Sequence, residues 1–337
     1  MILLLTGATG FVGRNLLLGV LAEGRYEHVI VPVRSRAKLA AQLAADGVPD
    51  LPPSVIPVET AAPDWRFDFS ALGAPDHVVH GAGLLFGRDR AEYFRTNVDG
   101  TLNLLRQLPD EAKTVILSSL AAAGPSLRPD HDRGEADPER PLTWYGESKL
   151  EMERGLAAEF AAKRYLCLRP PMVLGPRDQA TLPLFKMARN PVRFKPGLRT
   201  KTYSWIGVND LTAAVFAALA GDWTGLPHRS LFVAAERPIT DWELIAHCAA
   251  AVRRRGLTLR LPQPLLKGVA QVIDRVPAWR RALPSLTVDR AREIWPDRWV
   301  VSAAAFGGHF GWRPAEELPA VLQATCDWYV RAGQLRG

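Results

Sequence analysis

Cysteine is scarce: the 337 residues include three, Cys167, Cys248 and Cys326, far apart in the chain. That count and spacing exclude a disulfide framework and a thiolate metal cluster, and predict a reducing, cytoplasmic setting. Long hydrophobic runs are also missing, none approaching the roughly 18 residues needed to cross a bilayer as a helix. The N-terminal run ILLL (2–5) is shorter than a signal-peptide core and follows no basic segment, so no export signal is expected there. The seven histidines, at 28, 77, 80, 131, 228, 247 and 309, show no HExxH or comparable ligand spacing, and no metal is expected.

What is present is a chain 47% hydrophobic and 23% charged, enough for a sizeable core in one large or two small domains. Its charge is unevenly placed. The stretch 251–300 holds eleven Lys or Arg against four acids, Asp274, Asp289, Glu293 and Asp297, a surplus of 7 that equals the net charge of the whole chain. The stretch reads first as a solvated surface, with an anionic substrate or partner and an anionic membrane as alternatives. Nucleic acid is not expected, because no recognition motif accompanies the charge.

Short apolar runs at 2–6, 28–33, 77–82, 114–118 and 165–169 predict strands buried on both faces. Between them, 11–22, 36–45, 91–107 and 145–163 carry apolar residues at helical spacing, so the first half reads as βαβ units around a parallel sheet. A Rossmann-type, doubly wound α/β domain is expected over 1–170. A smaller, interleaved substrate-binding domain is expected over 171–337, with 205–235 returning to the sheet through RSLFVA (229–234). Eight of the ten tryptophans lie beyond residue 200. The segment 264–276 reads as a core-facing amphipathic helix, with a hydrophobic entrance or a membrane contact as alternatives.

TGATGFVG (6–13) follows the first strand and opens the first helix. A tight strand-to-helix turn, close approach of backbone to a pyrophosphate and a helix N-terminus with free N–H groups together make an anion cradle, and Gly7, Gly10 and Gly13 suit it. Arg34 and Arg36, with Lys38 as a third candidate, stand where an NAD-preferring domain places an acid. A guanidinium there pairs with a 2′-phosphate, so NADP(H) is favoured over NAD(H). Tyr145 and Lys149 are four residues apart, hence on one helical face, and the lysine's charge is expected to lower the phenol's pKa. Ser118 and Ser119 end the fourth expected strand at the carboxyl edge of the sheet, where a hydroxyl can orient a substrate carbonyl.

In combination these motifs resemble the extended short-chain dehydrogenase/reductase family, in its epimerase/dehydratase-like and ketone-reductase-like branches, over essentially the whole chain. TGATGFVG resembles its glycine motif, HGAG (80–83) its fourth-strand motif, TNVDGT its helix asparagine, SSLAAAG its serine motif, YGESK its tyrosine–lysine pair and LRPPMVLGP (168–176) its nicotinamide-covering segment. The resemblance implies Ser119, Tyr145 and Lys149 as catalytic residues, with Lys149 also on the ribose. It implies Gly7, Thr9, Gly10, Phe11, Val12, Gly13, Arg34, Arg36, Ala82, Asn97, Pro170 and Val173 around the cofactor, and a homodimer is common in such families.

The pattern breaks in three places. No aspartate follows VIPVE (55–59) to meet adenine, and Thr60 and Asp64 stay unassigned. Met172 replaces the asparagine usual in nucleotide-sugar members, and a thioether offers an apolar wall instead of amide contacts. The serine motif lacks the Thr-Asp-Glu that similar dehydratases use for elimination. The tail from Thr287 resembles members acting on sterol-like or flavonoid-like ketones. The expected function is therefore an NADP(H)-dependent oxidoreductase acting on a ketone or secondary alcohol of a moderately large hydrophobic substrate. An epimerase with a retained cofactor is the alternative, and a non-catalytic NADP sensor a third reading.

Overall fold

A computed structural model describes residues 1–282 and 286–336; residues 283–285 of the basic stretch and the last residue, 337, of the expected substrate-binding segment lie outside the described residues. Seven strands, β1 (Ile2–Thr6), β2 (His28–Val33), β3 (Val55–Glu59), β4 (His77–His80), β5 (Lys113–Leu117), β6 (Tyr165–Arg169) and β7 (Ser230–Phe232), form one sheet in the order β7-β6-β5-β4-β1-β2-β3. Every pairing is parallel. The chain is thus a doubly wound α/β fold of Rossmann type. The strand order reverses between β1 and β4, which opens a crevice at their carboxyl ends, where such sheets bind ligands.

Alternation of side chains sorts the apolar residues of each strand onto the two faces. In β1, Leu3 and Leu5 enter one cluster with Leu16 and Leu17 of helix α1 (Phe11–Glu23) and Leu39 of helix α2 (Arg36–Ala45). Leu4 enters the opposite cluster with Leu104 of the helix Gly100–Gln107 and Met152 of helix α3 (Trp144–Glu159). Helix α4 (Val208–Ala220) packs Leu211, Val215 and Ala218 on the first face, and β7 adds to the sheet beside β6.

Sequence patterning misses β3, the outermost strand, where Pro57 without an N–H is tolerated. The expected strand 77–82 ends at His80, and α3 ends at Glu159, four residues before the expected end.

Beyond residue 170 a separate core gathers Leu174, Phe185, Trp205, Leu244, Leu322 and Tyr329. The C-terminal tail is held to the start of α4 by two carboxylates acting in opposite directions. Glu316 accepts from the N–H groups of Asn209 and Asp210, each at 3.1 Å. Asp210 accepts from those of Ala315 and Glu316, each at 2.9 Å. Helix α5 (Gln263–Arg275) differs from the core-facing expectation: Ala270 and Ile273 are buried, but Leu265, Val269 and Val272 are exposed.

Candidate active site

The β1–α1 turn forms the floor of the crevice. Gly7 has φ +80, and a Cβ on it would meet the Gly81 carbonyl carbon at 2.6 Å. A Cβ on Gly13 would meet the Gly7 carbonyl oxygen at 2.1 Å, so α1 begins in direct contact with the turn. Gly10 is exposed at the N-cap of α1, which has no side-chain cap. The helix therefore offers open N–H groups and its positive end to an anion, and these residues fit a dinucleotide pyrophosphate. Thr9 is fastened from below by Gln42, whose amide donates to the Thr9 carbonyl at 3.2 Å, while Phe11 and Val12 are half-buried.

A buried polar relay shapes the opposite wall. Thr6 Oγ1 lies 2.7 Å from His80 Nδ1, His80 Nε2 lies 2.9 Å from Thr101 Oγ1, and the Thr101 hydroxyl donates to the Asn97 carbonyl at 2.7 Å. Burial, followed by the charge of Lys149, depresses the His80 pKa to about 3, so the imidazole is neutral and its two nitrogens take opposite hydrogen-bonding roles. Thr6 Oγ1 also accepts from the Ala82 N–H at 3.1 Å, which fixes Ala82 beside the glycine turn. Asn97 sits in a π-helical turn (Arg95–Asp99). Its amide accepts from Leu84 N at 2.7 Å and donates to the Leu84 carbonyl at 3.1 Å and Ser148 Oγ at 2.9 Å. Those bonds engage its side chain with protein, so in this arrangement it clamps the loop after β4.

The two serines have different partners. Ser118 donates to the carboxylate of Glu153, inside the protein. Ser119 caps the short helix Leu120–Ala123, its hydroxyl accepting from the Ala121 N–H at 3.1 Å, and it acts on the nearby Tyr145 phenol. Gly146 lets α3 approach that short helix closely, since a Cβ there would lie 2.4 Å from the Ala121 carbonyl oxygen. Lys149 is buried one turn along α3, where Nζ donates to the Leu117 carbonyl at 2.8 Å. Burial lowers its pKa to about 8.

The expected lowering of the tyrosine by lysine is corrected here. Burial raises the Tyr145 pKa above its ordinary value, and the influences opposing that rise are the Ser119 hydrogen bond and the charge of Arg290. The Arg290 guanidinium carbon stands 5.1 Å from the centre of the Tyr145 ring and 5.6 Å from that of Phe86.

Sequence reasoning did not single out Arg290. Its place is set by flanking carboxylates that bind the N-terminus of α3: Asp289 accepts from the Trp144 N–H at 3.3 Å, and Glu293 accepts from the Thr143 hydroxyl at 2.6 Å. Arg290 pairs with Glu293 at 3.0 Å. Arg290 lay among eleven basic residues with no local signal to separate it, whereas His80 at least stood in HGAG.

Arg34, Arg36 and Lys38 are exposed after β2, and none has an ion-pair partner among the described residues. Glu59, aligned with Val33 across the β2–β3 pairing, accepts from the Arg36 backbone N–H at 3.1 Å. Pro170 is buried, its carbonyl accepting from Leu120 N at 2.9 Å, and Val173 is half-buried in the strand Met172–Leu174, paired with Trp205–Gly207. Thr60, left unassigned, accepts from Arg66 N at 3.0 Å.

A glycine cradle at the reversal of a parallel sheet, with a phenol, a hydroxyl and an ammonium nearby, defines the class of nicotinamide-dependent short-chain dehydrogenase/reductase enzymes of extended type. Residues 3–230 match the model of the NAD dependent epimerase/dehydratase family, and the chain belongs to that family. It is 28% identical to the ceramide reductase of Caulobacter vibrioides over 98% of this chain and 95% of that protein. It is 25% identical to a putative dihydroflavonol 4-reductase of Synechocystis, again over 98% and 95%. Its fold matches that of UDP-glucuronic acid 4-epimerase from Bacillus cereus, solved with UDP-glucuronic acid and NAD, at a TM-score of 0.76, with 18% identity and coverage of 98% and 100%.

Proposed function

We propose that the protein is an NADP(H)-dependent oxidoreductase acting on a ketone or secondary alcohol of a moderately large hydrophobic substrate. The observation that carries this reading is the placement of Ser119, Tyr145 and Lys149 at the carboxyl end of the sheet beside a turn fitted to a dinucleotide. Gly7, Thr9, Gly10, Phe11, Val12 and Gly13 would hold the pyrophosphate, Arg34 and Arg36 the 2′-phosphate, and Lys149 the ribose. Ala82, Pro170 and Val173 would line the nicotinamide, with Asn97 supporting that wall through the loop it clamps. When bound, the nicotinamide supplies or takes up a hydride.

Ser119 orients the carbonyl by donating to its oxygen, and Tyr145 delivers a proton to the same oxygen. A phenol whose pKa lies above the ordinary value is protonated at neutral pH, which is the form that reduction requires. Arg290 stabilises the phenolate left after transfer. Met172, standing where nucleotide-sugar members carry an asparagine, favours an apolar substrate, as do the activities for which the Caulobacter and Synechocystis relatives are named.

The fold likeness to a nucleotide-sugar epimerase favours a second reading, isomerisation with a retained cofactor. Stoichiometry separates the two. NADPH consumption with product analysis is measured across hydrophobic ketones, acyl thioesters and nucleotide sugars, with Tyr145→Phe as control. Net NADPH oxidation by one ketone class, lost in the variant, is expected. Conversion without NADPH loss establishes the isomerase instead, and full turnover by Tyr145→Phe overturns the mechanism.

A further inference from the structure

We propose that α5 and the two-stranded sheet preceding it form a docking surface for an anionic lipid bilayer. The sheet pairs Val192–Pro196 with Leu257–Leu261 in parallel, and its polarity is inverted. Arg193 and Lys195 point inward: Arg193 donates to the carbonyls of Ala188 and Arg254, and Lys195 pairs with Asp241 at 2.5 Å. The outward face carries Val192 beside Leu257 and Phe194 beside Leu259, with Leu257 62% exposed. Pro262 alone then separates this sheet from α5.

Along α5, Leu265, Val269 and Val272 fall within a single arc of the helix and face solvent, with Leu265 56% exposed. Trp279 follows, 52% exposed, in the next short helix, Pro277–Ala282. Large apolar side chains exposed on consecutive elements of one segment are unusual on a soluble protein and mark a site of association.

Charge identifies the occupant. Arg253, Arg254, Arg255, Arg260, Lys267 and Arg275 are exposed in the same segment, and none has a carboxylate partner among the described residues. An exposed apolar helix arc with Arg275 at its border, in a segment of unpaired Lys and Arg, is the pattern that sinks into the headgroup region of a bilayer while its cations meet lipid phosphates. A second copy of the chain fits poorly, because a self-complementary interface would bring these like charges together.

The surface also adjoins the candidate site. Asp274 of α5 accepts from Val288 N at 3.0 Å, at the start of the segment whose Arg290 covers Tyr145. The docking argument stands on exposure and charge, and is independent of the redox reading.

The test is co-sedimentation of the full chain with vesicles of phosphatidylcholine alone, or with about one third phosphatidylglycerol. Sedimentation with the anionic vesicles at least about tenfold stronger than with the neutral ones is expected. Val269→Ser/Val272→Ser and Arg255→Gln/Arg275→Gln should each weaken it about fivefold or more, with unchanged urea midpoints. Absence of sedimentation by the unmodified protein overturns the proposal, as do double variants that sediment like it. A dimer dispersed by Val269→Ser/Val272→Ser, without vesicle binding, overturns it in favour of a self-interface.

Discussion

Two buried cations lie close to α3, and the protein treats them differently. Arg169, at the end of β6, has its Nε within 3.1 Å of both Glu153 oxygens and an amino group 3.3 Å from Glu139, while Glu153 also accepts from Ser118 and Ser230. Burial alone would pull the Arg169 pKa down, but the charge of Glu153 and the hydrogen bonds from both carboxylates more than offset it and raise it. Lys149 is equally hidden, with one hydrogen bond, to a carbonyl, and no ion pair among the described residues. Its pKa is pushed down to about 8. A charge enclosed by complementary groups belongs to the architecture. One kept buried with spare donors carries a standing cost, and such costs collect where chemistry is done.

Replacing each cation by methionine tests that contrast. Lys149→Met is expected to lower turnover by about three orders of magnitude, yet to raise stability at pH 7. The free lysine titrates near 10.5 and the folded one near 8, so between those values the unfolded chain binds more protons and stability rises with pH. The cost of burying the charge is therefore fully present below pH 8. Urea midpoints should favour Lys149→Met at pH 7 and converge toward pH 10; a lower midpoint at pH 7 breaks the comparison.

Arg169→Met should do the reverse, losing about 3–5 kcal/mol because Glu153 is left buried and unpaired. Arg169→Met/Glu153→Met should recover much of that loss, and urea denaturation reads both.

Exposed Arg34 extends the contrast to a cation with no protein partner. Arg34→Ala is expected to weaken NADPH binding about tenfold and NADH binding less than about twofold, as measured by fluorescence titration. Equal effects on the two cofactors move the phosphate contact elsewhere.

The smallest effect is expected of Arg290→Gln. Removing a charge that lowers the Tyr145 pKa raises it further, so the alkaline limb of the pH–rate profile for reduction should move upward by about half a unit. An unmoved limb removes Arg290 from the electrostatics of the site.

Much of the candidate site was legible because it is local in sequence. The glycine turn, the serine at a strand end and a tyrosine four residues before a lysine each sit within one element and its flank. The resemblance implies Ser119, and in the fold Ser118 is turned to Glu153 while Ser119 acts on the Tyr145 phenol. Arg290 was not legible, since it comes to the phenol through carboxylates that cap a helix 145 positions away. Nor was the sign of the small sheet. Alternation in VRFKP and LTLRL fixes which residues share a face but not which face meets solvent, and here the apolar face does. Periodicity in α5 likewise marks an apolar arc without saying how much of it the protein covers.

The strand order has a consequence for how the chain is made. The glycine turn is complete within the first 13 residues, but the sheet that supports it closes much later in sequence. The outer edge of β6 gains its neighbour only when Ser230 emerges, and the carboxylate clasp on α4 waits for Glu316. Ribosomes add about 5–20 residues per second, so a nascent chain holds an unpaired parallel edge for seconds. That interval is when a chaperone has something to hold and when two growing chains can pair wrongly.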